Sequence, residues 1–243
     1  MTQASERARP AVDTPIRDRL TRALAQRILE GTHRPGDRLP VEADLIAEFG
    51  VSRTALREAM RMLAAKGLIV SRKRAGTVVR PSRDWNLLDP DILGWMGEVA
   101  VDPGYVADVC EARLVFEPKA ARLAAIRGSA DEVAAIDDAF GRMRAAHLDD
   151  DDERLEADLA FHFAILDAAH NRVLHQLGNI IGPALRTIIR SSASATSDYD
   201  RGLRAHAAVR DAILARDGGG ADRAMTDLIS VTAEDLGLVD LLR

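Results

Sequence analysis

Apolar residues recur along most of this chain at intervals of three and four, the period of a helix with one buried face. Ile16, Leu20, Leu24, Ile28 and Leu29 line such a face between Pro15 and Gly31, and Leu45, Ile46 and Phe49 line another between Glu42 and Phe49. Gly50 ends the second run. Ser52 then stands where a helix N-cap is wanted, because its hydroxyl can accept a hydrogen bond from an unpaired amide of the next turn. Leu56, Met60 and Leu63 define a third helix, and they leave Arg53, Thr54, Arg57 and Arg61 to point elsewhere. After Gly67 the period changes. Leu68-Ile69-Val70 and Thr77-Val78-Val79 read as two short strands around a basic tip, Ser71-Arg72-Lys73-Arg74-Ala75-Gly76, in which Gly76 suits a tight turn of positive φ.

Two helices joined by a turn and followed by a basic hairpin are the order of a winged helix-turn-helix. In that arrangement the first turns of the second helix enter the major groove, so Ser52, Arg53, Thr54 and Arg57 are the expected base and phosphate contacts. Arg72, Lys73 and Arg74 sit where a hairpin tip can follow the phosphate backbone, whereas taken alone such a run reads as a solvated turn.

Beyond a short linker at 81–88 the pattern is helical throughout. Helices are expected over 89–99, 103–127 with a kink near Pro118, and from Ser129, whose capping box with Glu132 starts a helix ending near Leu148. Others follow over 153–170, 173–181, 183–192, 201–216 and 221–236, with Gly218 to Gly220 separating the last two. The acidic run Asp149 to Glu153 suits a loop and a dipole-favoured helix start, and it lacks the glycine and spaced ligands of a calcium loop. The fold class is therefore mainly α. A winged helix-turn-helix over 14–80 follows a disordered stretch at 1–13, and an all-helical antiparallel bundle over 89–243 follows the linker.

Charge divides the chain the same way. Residues 1–83 hold 17 Lys and Arg against 9 Asp and Glu, and the remaining residues hold 16 against 29. DNA responds to the local field within a screening length of about 8 to 10 Å, so a net charge of −5 does not argue against a DNA-binding head. The single cysteine, Cys110, lies in an apolar helical pattern and excludes an internal disulfide framework. No apolar run approaches the roughly 20 residues of a membrane span and no apolar signal core opens the chain, so a cytoplasmic protein is expected.

Pro35 to Arg80 resembles the DNA-binding domain of the GntR family of bacterial transcription regulators, through PGDRLP, EADLIAEFGVSRTALREAM and the segment from LAAKGLI to AGTVV. Similarity to the fatty-acid-responsive member implies DNA contacts at Arg53, Thr54, Arg57, Lys73 and Arg74, with Ser52 and Gly76 beside them. Two positions depart from the family pattern: Ala43 replaces an arginine that follows the glutamate, and Val41 replaces a capping serine. The remainder resembles FCD, the helical ligand domain of the FadR subgroup, through EARLVFEPKAARLAA, ADLAFHFAILDAAHN and RAHAAVRDAILARD followed by ADRAM. The segment WNLLDPDILGW is nearer still to the galactonate-responsive repressors of that subgroup, whose ligand is a sugar acid.

Asp158 and His162 are four residues apart and share one helical face, where a carboxylate and an imidazole can fill two positions on a metal such as Zn²⁺. The same spacing also arises in ordinary surface pairs. His206, among small and apolar neighbours, is a third candidate, and the resemblance assigns Asp158, His162 and His206 together to the metal or ligand site. The family's fourth ligand, a histidine, is replaced by Leu228, as in the galactonate-type repressors, so water or the ligand's own oxygens would have to complete the shell. Arg113 lies in the helix that floors the family's pocket, and its guanidinium fork matches a carboxylate; the alternative is an exposed pair with Glu117. Arg186 interrupts an apolar run and either reaches solvent or enters a polar cavity. His147, His170 and His175 read as surface or turn residues.

These features imply a ligand-responsive repressor of a sugar-acid or hydroxy-acid operon. It would bind a palindromic operator as a homodimer, and a small carboxylate effector and a divalent metal, Zn²⁺ first among them, would bind in the helical domain. A metal-dependent enzyme of sugar-acid metabolism with a DNA-binding head is the alternative. No nucleophile with a base, paired acid and base carboxylates or phosphate loop accompanies Asp158 and His162 to support it.

Overall fold

The structure is a computed structural model that describes residues 16–73, 76–96, 103–146, 151–195 and 198–238. The chain divides into two compact units at Asn86 and Leu87. The expected disorder of residues 1–13 and the expected surface position of His147 both lie outside the described residues.

In the first unit α1 (Ile16–Leu29) packs on α3 (Arg53–Ala65), and α2 (Glu42–Phe49) braces α3 from a second side. Leu20, Leu24 and Ile28 of α1 meet Leu45 of α2 and Leu56, Ala59 and Leu63 of α3 in a dry core. Met60, expected on the buried face of α3, is only half-buried, because the inner stripe runs through Ala59 instead. Gly50 closes α2 at φ 62, in the left-handed region, and its N–H donates to the Ile46 carbonyl. A Cβ at that φ is strained, and this explains a glycine between the two helices.

The wing is an antiparallel pair, β1 (Ile69–Arg72) with β2 (Gly76–Val79), in the register Ile69 to Val79 and Arg72 to Gly76. The strands run further than the apolar residues alone suggest and absorb Ser71, Arg72 and Gly76. A third chain segment, absent from the sequence reading, adds to the free edge of β2. Arg38 bridges Val78, the Leu39 N–H donates to the Thr77 carbonyl at 2.9 Å, and the Val79 N–H donates to the Asp37 carbonyl at 2.9 Å. Residues 82–86 are tied back to this unit, since the Asn86 N–H donates to Lys66 and the Trp85 indole donates to the Arg80 carbonyl.

In the second unit the described residues form seven helices: α4 (Pro90–Met96), α5 (Pro103–Arg127), α6 (Ala130–Ala145), α7 (Asp151–Ala168), α8 (Arg172–Ala195), α9 (Tyr199–Leu214) and α10 (Gly218–Asp235). Helix α5 packs against α7, α9 and α10, while α6 and α8 flank α7. Their core joins Phe116, Ile136, Phe140, Phe161, Ile165, Val209, Ile213, Met225 and Ile229. The Ser129 and Glu132 capping box starts α6 as expected.

One expected break is absent and another is displaced to 215–217. Helix α8 runs through Pro183, whose φ suits a helix although it removes one N–H bond and crowds the carbonyl four residues back. Gly178 and Gly182 seat that stretch so tightly on α7 that an added Cβ would come within 2.4 Å of Leu166 and 2.8 Å of Phe163. Gly218 to Gly220 form the first turn of α10, with Asp217 accepting from the Gly220 N–H at the cap.

Candidate functional site

The surface expected to meet DNA is set by how α3 begins. Ser52 accepts a hydrogen bond from the Ala55 N–H at 3.1 Å, which fixes the first turn, and Leu56 anchors it from below. Ser52, Arg53, Thr54 and Arg57 are consequently exposed together at one end of α3, and Lys73 and Gly76 are exposed on the wing. Gly76 has φ 76, as the tight tip requires, and Arg74 lies outside the described residues. A groove of about 810 Å³ between α2, α3 and the wing has Arg57, Arg61 and Thr77 on its walls, so the cations of α3 face the side on which the wing rises. Arg57 Nε stands 3.7 Å from Glu42 Oε2 across the helix pair. Ala43 presents only an exposed methyl, and Val41 gives α2 no side-chain cap.

The chemistry of the second unit gathers where α5, α7 and α9 meet. Helical spacing puts Arg113 and Glu117 on the buried stripe of α5 that continues through Ala120, Ala121 and Ala124, and it aligns Asp158 with His162 on α7. Arg113 Nε donates to Glu117 Oε1 at 2.6 Å, with side chains 1% and 4% exposed. The alternative of a solvent-exposed Arg113–Glu117 pair is thereby corrected: the pair forms, but inside the core. Glu117 Oε2 lies 2.8 Å from His162 Nδ1; this is an ion-pair contact, since the ring N–H points off the hydrogen-bond line. The other face of the His162 ring places Nε2 3.3 Å from Asp158 Oδ1, and His206 Nε2 lies 3.5 Å from the same oxygen. His206 Nδ1 donates to the Gly202 carbonyl at 2.8 Å, the tautomer that leaves a lone pair on Nε2. Phe161 stands edge-on to both imidazoles.

Burial penalises every charge in this cluster, and the neighbouring charges outweigh it. Glu117 is held down at about 2 against its burial by the Arg113 guanidinium and His162. His206 and His162 likewise hold Asp158 well below the usual carboxylate range. Glu117 and Asp158 push His162 up to about 9 although burial and Arg113 oppose them. Four buried atoms still lack an aligned hydrogen bond here: Arg113 Nη1, Asp158 Oδ1, His162 Nδ1 and His206 Nε2. One oxygen of Asp158 and one ring nitrogen from each histidine lie within 4.8 Å of one another, a donor set suited to a divalent metal of borderline softness.

Comparison with known proteins decides what these two sites belong to. Residues 16–79 match the bacterial regulatory proteins of the gntR family, and residues 108–231 match the FCD domain. The galactonate operon transcriptional repressor of Escherichia coli (strain K12) is 36% identical over 220 residues, 90% of this chain and 96% of that protein. This chain belongs to the gntR family. Another relative, the putative L-lactate dehydrogenase operon regulatory protein of Escherichia coli (strain K12), is 34% identical over 218 residues, 86% of this chain and 80% of that protein. Among solved structures, the Listeria monocytogenes regulator Lar gives a TM-score of 0.66 at 17% identity over 94% of this chain and 100% of that one, a likeness of fold.

As a gntR-family member with an FCD domain, the protein is a DNA-binding transcription regulator with a small-molecule ligand domain, not an enzyme. Among the described residues no helix is long and apolar enough to cross a membrane. Asp158, His162 and His206 are brought together as expected, and Leu228 offers no donor, being 1% exposed in the apolar core. Arg186 is not brought to them. It is exposed and paired with Glu156 on α7, because Leu185, Ile188 and Ile189 take the buried side of α8. His170 and His175 are exposed and paired with Glu132 and Asp167. The sequence reading missed Glu117 as a member of the site. Its signal was an acid four residues from Arg113 on a helical stripe that is otherwise apolar.

Proposed function

We propose that this protein is a repressor of an operon for sugar-acid or hydroxy-acid catabolism, working in the cytoplasm as a homodimer on a palindromic operator. Two symmetry-related copies of α3 read the two half-sites, with Arg53, Thr54 and Arg57 in the major groove and Lys73 and Arg74 of the wing on the backbone. A carboxylate effector binds in the helical domain at Arg113, and Asp158, His162 and His206 hold a divalent metal there, Zn²⁺ first among the candidates. The metal, when bound, supplies a Lewis-acidic position for the effector's oxygens, which the apolar Leu228 leaves open to them.

The observation that carries the reading is the convergence of buried atoms. Asp158 Oδ1 and His206 Nε2 meet without aligned hydrogen bonds, with His162 Nε2 3.3 Å from the same oxygen, beside a guanidinium whose Nη1 is unpartnered. Buried groups of this kind cost stability unless a partner satisfies them; a cation satisfies Asp158 Oδ1 and His206 Nε2, and an anion satisfies Arg113 Nη1. The relatives named for galactonate and lactate operons support the class of effector.

Thermal unfolding of the full chain tests this with Zn²⁺, D-galactonate, D-gluconate and L-lactate, singly and with the metal. A ligand at one hundred times its Kd stabilises the folded state by about 2.7 kcal/mol. Zn²⁺ alone raises the Tm, and one acid raises it further only when Zn²⁺ is present. If neither Zn²⁺ nor any acid shifts the Tm, the site assignment is wrong.

A further inference from the structure

Glu117 makes two contacts that no proposed ligand role explains. Its carboxylate bridges Arg113 Nε at 2.6 Å and His162 Nδ1 at 2.8 Å, and it is 3% exposed. His162 thus has a carboxylate on each nitrogen: Glu117 of α5 on Nδ1, and Asp158 of its own helix on Nε2. The two sides are not equivalent. Asp158 also faces His206, whereas Glu117 faces Arg113. The side of the ring that holds Asp158 is therefore the one where ligand atoms gather, and the Glu117 side lies behind it.

We propose that Glu117 is the positioning residue of the metal site, a carboxylate behind His162 that holds the proton on Nδ1 and commits the Nε2 lone pair to the cation. The proposal rests on the reading of Asp158, His162 and His206 as metal ligands. A ligating histidine commonly donates its second N–H to such a partner, which fixes the tautomer and raises the basicity of the ligating nitrogen. His206 Nδ1 donates to the Gly202 carbonyl at 2.8 Å, whereas Glu117 stands 2.8 Å from His162 Nδ1 off the hydrogen-bond line and acts there through its charge, so both imidazoles face an acceptor at Nδ1 and present Nε2. Glu117 does more than a carbonyl can. Arg113 Nη2 lies 3.4 Å from His162 Nε2, placed to donate to its lone pair, so a cation must displace that contact, and an uncompensated guanidinium at that distance would repel a dication. The charge of Glu117 cancels it where a neutral acceptor could not. With Leu228 in place of a fourth protein ligand, orientation of the remaining three carries correspondingly more of the affinity.

The test measures Zn²⁺ alone on the full chain, by competition with a chromophoric chelator, together with the Co²⁺ absorption spectrum, which reports the geometry at the metal. Wild type and H206A establish the site itself: wild type binds and H206A loses at least tenfold. E117Q keeps the shape and one acceptor oxygen but not the charge, and it weakens Zn²⁺ binding by roughly 10- to 100-fold with an altered Co²⁺ spectrum. Since E117Q leaves a buried guanidinium without its counter-charge, the pair R113M/E117Q is measured beside it as the control for folding. The pair stays at least tenfold weaker than wild type, even though loss of Arg113 by itself removes a repulsion. Wild-type affinity in E117Q or in the pair overturns the role of Glu117 while leaving the metal site standing. Failure of wild type to bind, or full binding by H206A, overturns the metal reading and this proposal with it.

Discussion

The buried pair of Arg113 and Glu117 sets the size of one measurable effect. Their side chains are 1% and 4% exposed and joined at 2.6 Å, so removing one leaves the other charged in the core. Breaking such a pair costs about 3–5 kcal/mol, while replacing both partners by apolar groups of similar volume is often close to neutral. The surroundings make the two halves unequal. In R113M the Glu117 carboxylate keeps His162 at 2.8 Å, whereas in E117L the guanidinium loses the acceptor that bonds both its Nε and its Nη2. E117L is thus expected to cost the full amount, R113M about half of it, and R113M/E117L less than either. The coupling between the sites then reaches about 3 kcal/mol or more, several times the few tenths seen for independent positions. Guanidinium chloride unfolding of the four proteins, followed by far-UV circular dichroism at pH 7 with a chelator present, gives the numbers. In a thermal scan E117L should fall by about 6–20 °C, from about 2–4 °C per kcal/mol in a domain of this size. Additive single effects of under about 1 kcal/mol each would refute the argument, since they would mean that water reaches the pair.

Gly67 has φ 79, and a Cβ there would stand 2.4 Å from the Asp84 carbonyl oxygen, so Gly67→Ala should destabilise the DNA-binding unit by about 2–4 kcal/mol. Gel-shift and Zn²⁺ assays should show operator binding lost and metal binding kept; loss of both would contradict the division into two units. Arg57→Ala should weaken operator binding by about 1–3 kcal/mol and, where the contact is to phosphate, lower the salt slope by about one; an unchanged affinity at fixed salt rules the contact out. Glu132 is held at about 2, first by His170 and then by the Ser129 N–H and hydroxyl, all of which favour its charged form. A depressed carboxylate stabilises above its unfolded value of 4.5, and that contribution fades as the pH falls from there towards 2. With its side chain 35% exposed, screening leaves about 1 kcal/mol of this. Glu132→Gln should therefore flatten the acid limb of Tm against pH, and parallel limbs for the two proteins would show that the bonds carry no net stability.

How far the sequence discloses the molecule depends on whether a feature is local. The helix pair, the Ser52 and Ser129 caps and the positive φ at Gly76 are decided within a few residues, and each is read correctly from the chain. The strand-like pairing of residues 37–39 is not, because Arg38 and Leu39 carry no alternation and are recruited by an edge that exists only after β2 has formed. Pro183 and the Gly218–Gly220 run mislead for the converse reason. Both look like breakers locally, yet the packing of Gly178 and Gly182 on α7 holds α8 through Pro183, and the Asp217 cap lets the glycines open α10 while the break falls at 215–217. At the site, spacing put Asp158 and His162 on one helical face, and only the family resemblance joined His206 to them; the structure brings the three together. Glu117 was not legible, because an acid beside an arginine at four residues reads as a surface pair until the burial of the stripe is known. Arg186 failed through the same ambiguity of a lone charge on an apolar helix.

The edge formed by residues 37–39 also bears on how such regulators can diverge. Its bonds to Thr77 and Val79 run through the main chain, so they persist whatever side chains occupy those positions. Attachment of the wing is thereby insulated from side-chain changes on α2 and α3, and replacements such as Ala43 can accumulate on that exposed surface without loosening the frame behind it. A lineage built this way can drift towards new operators one contact at a time, each intermediate still a folded head.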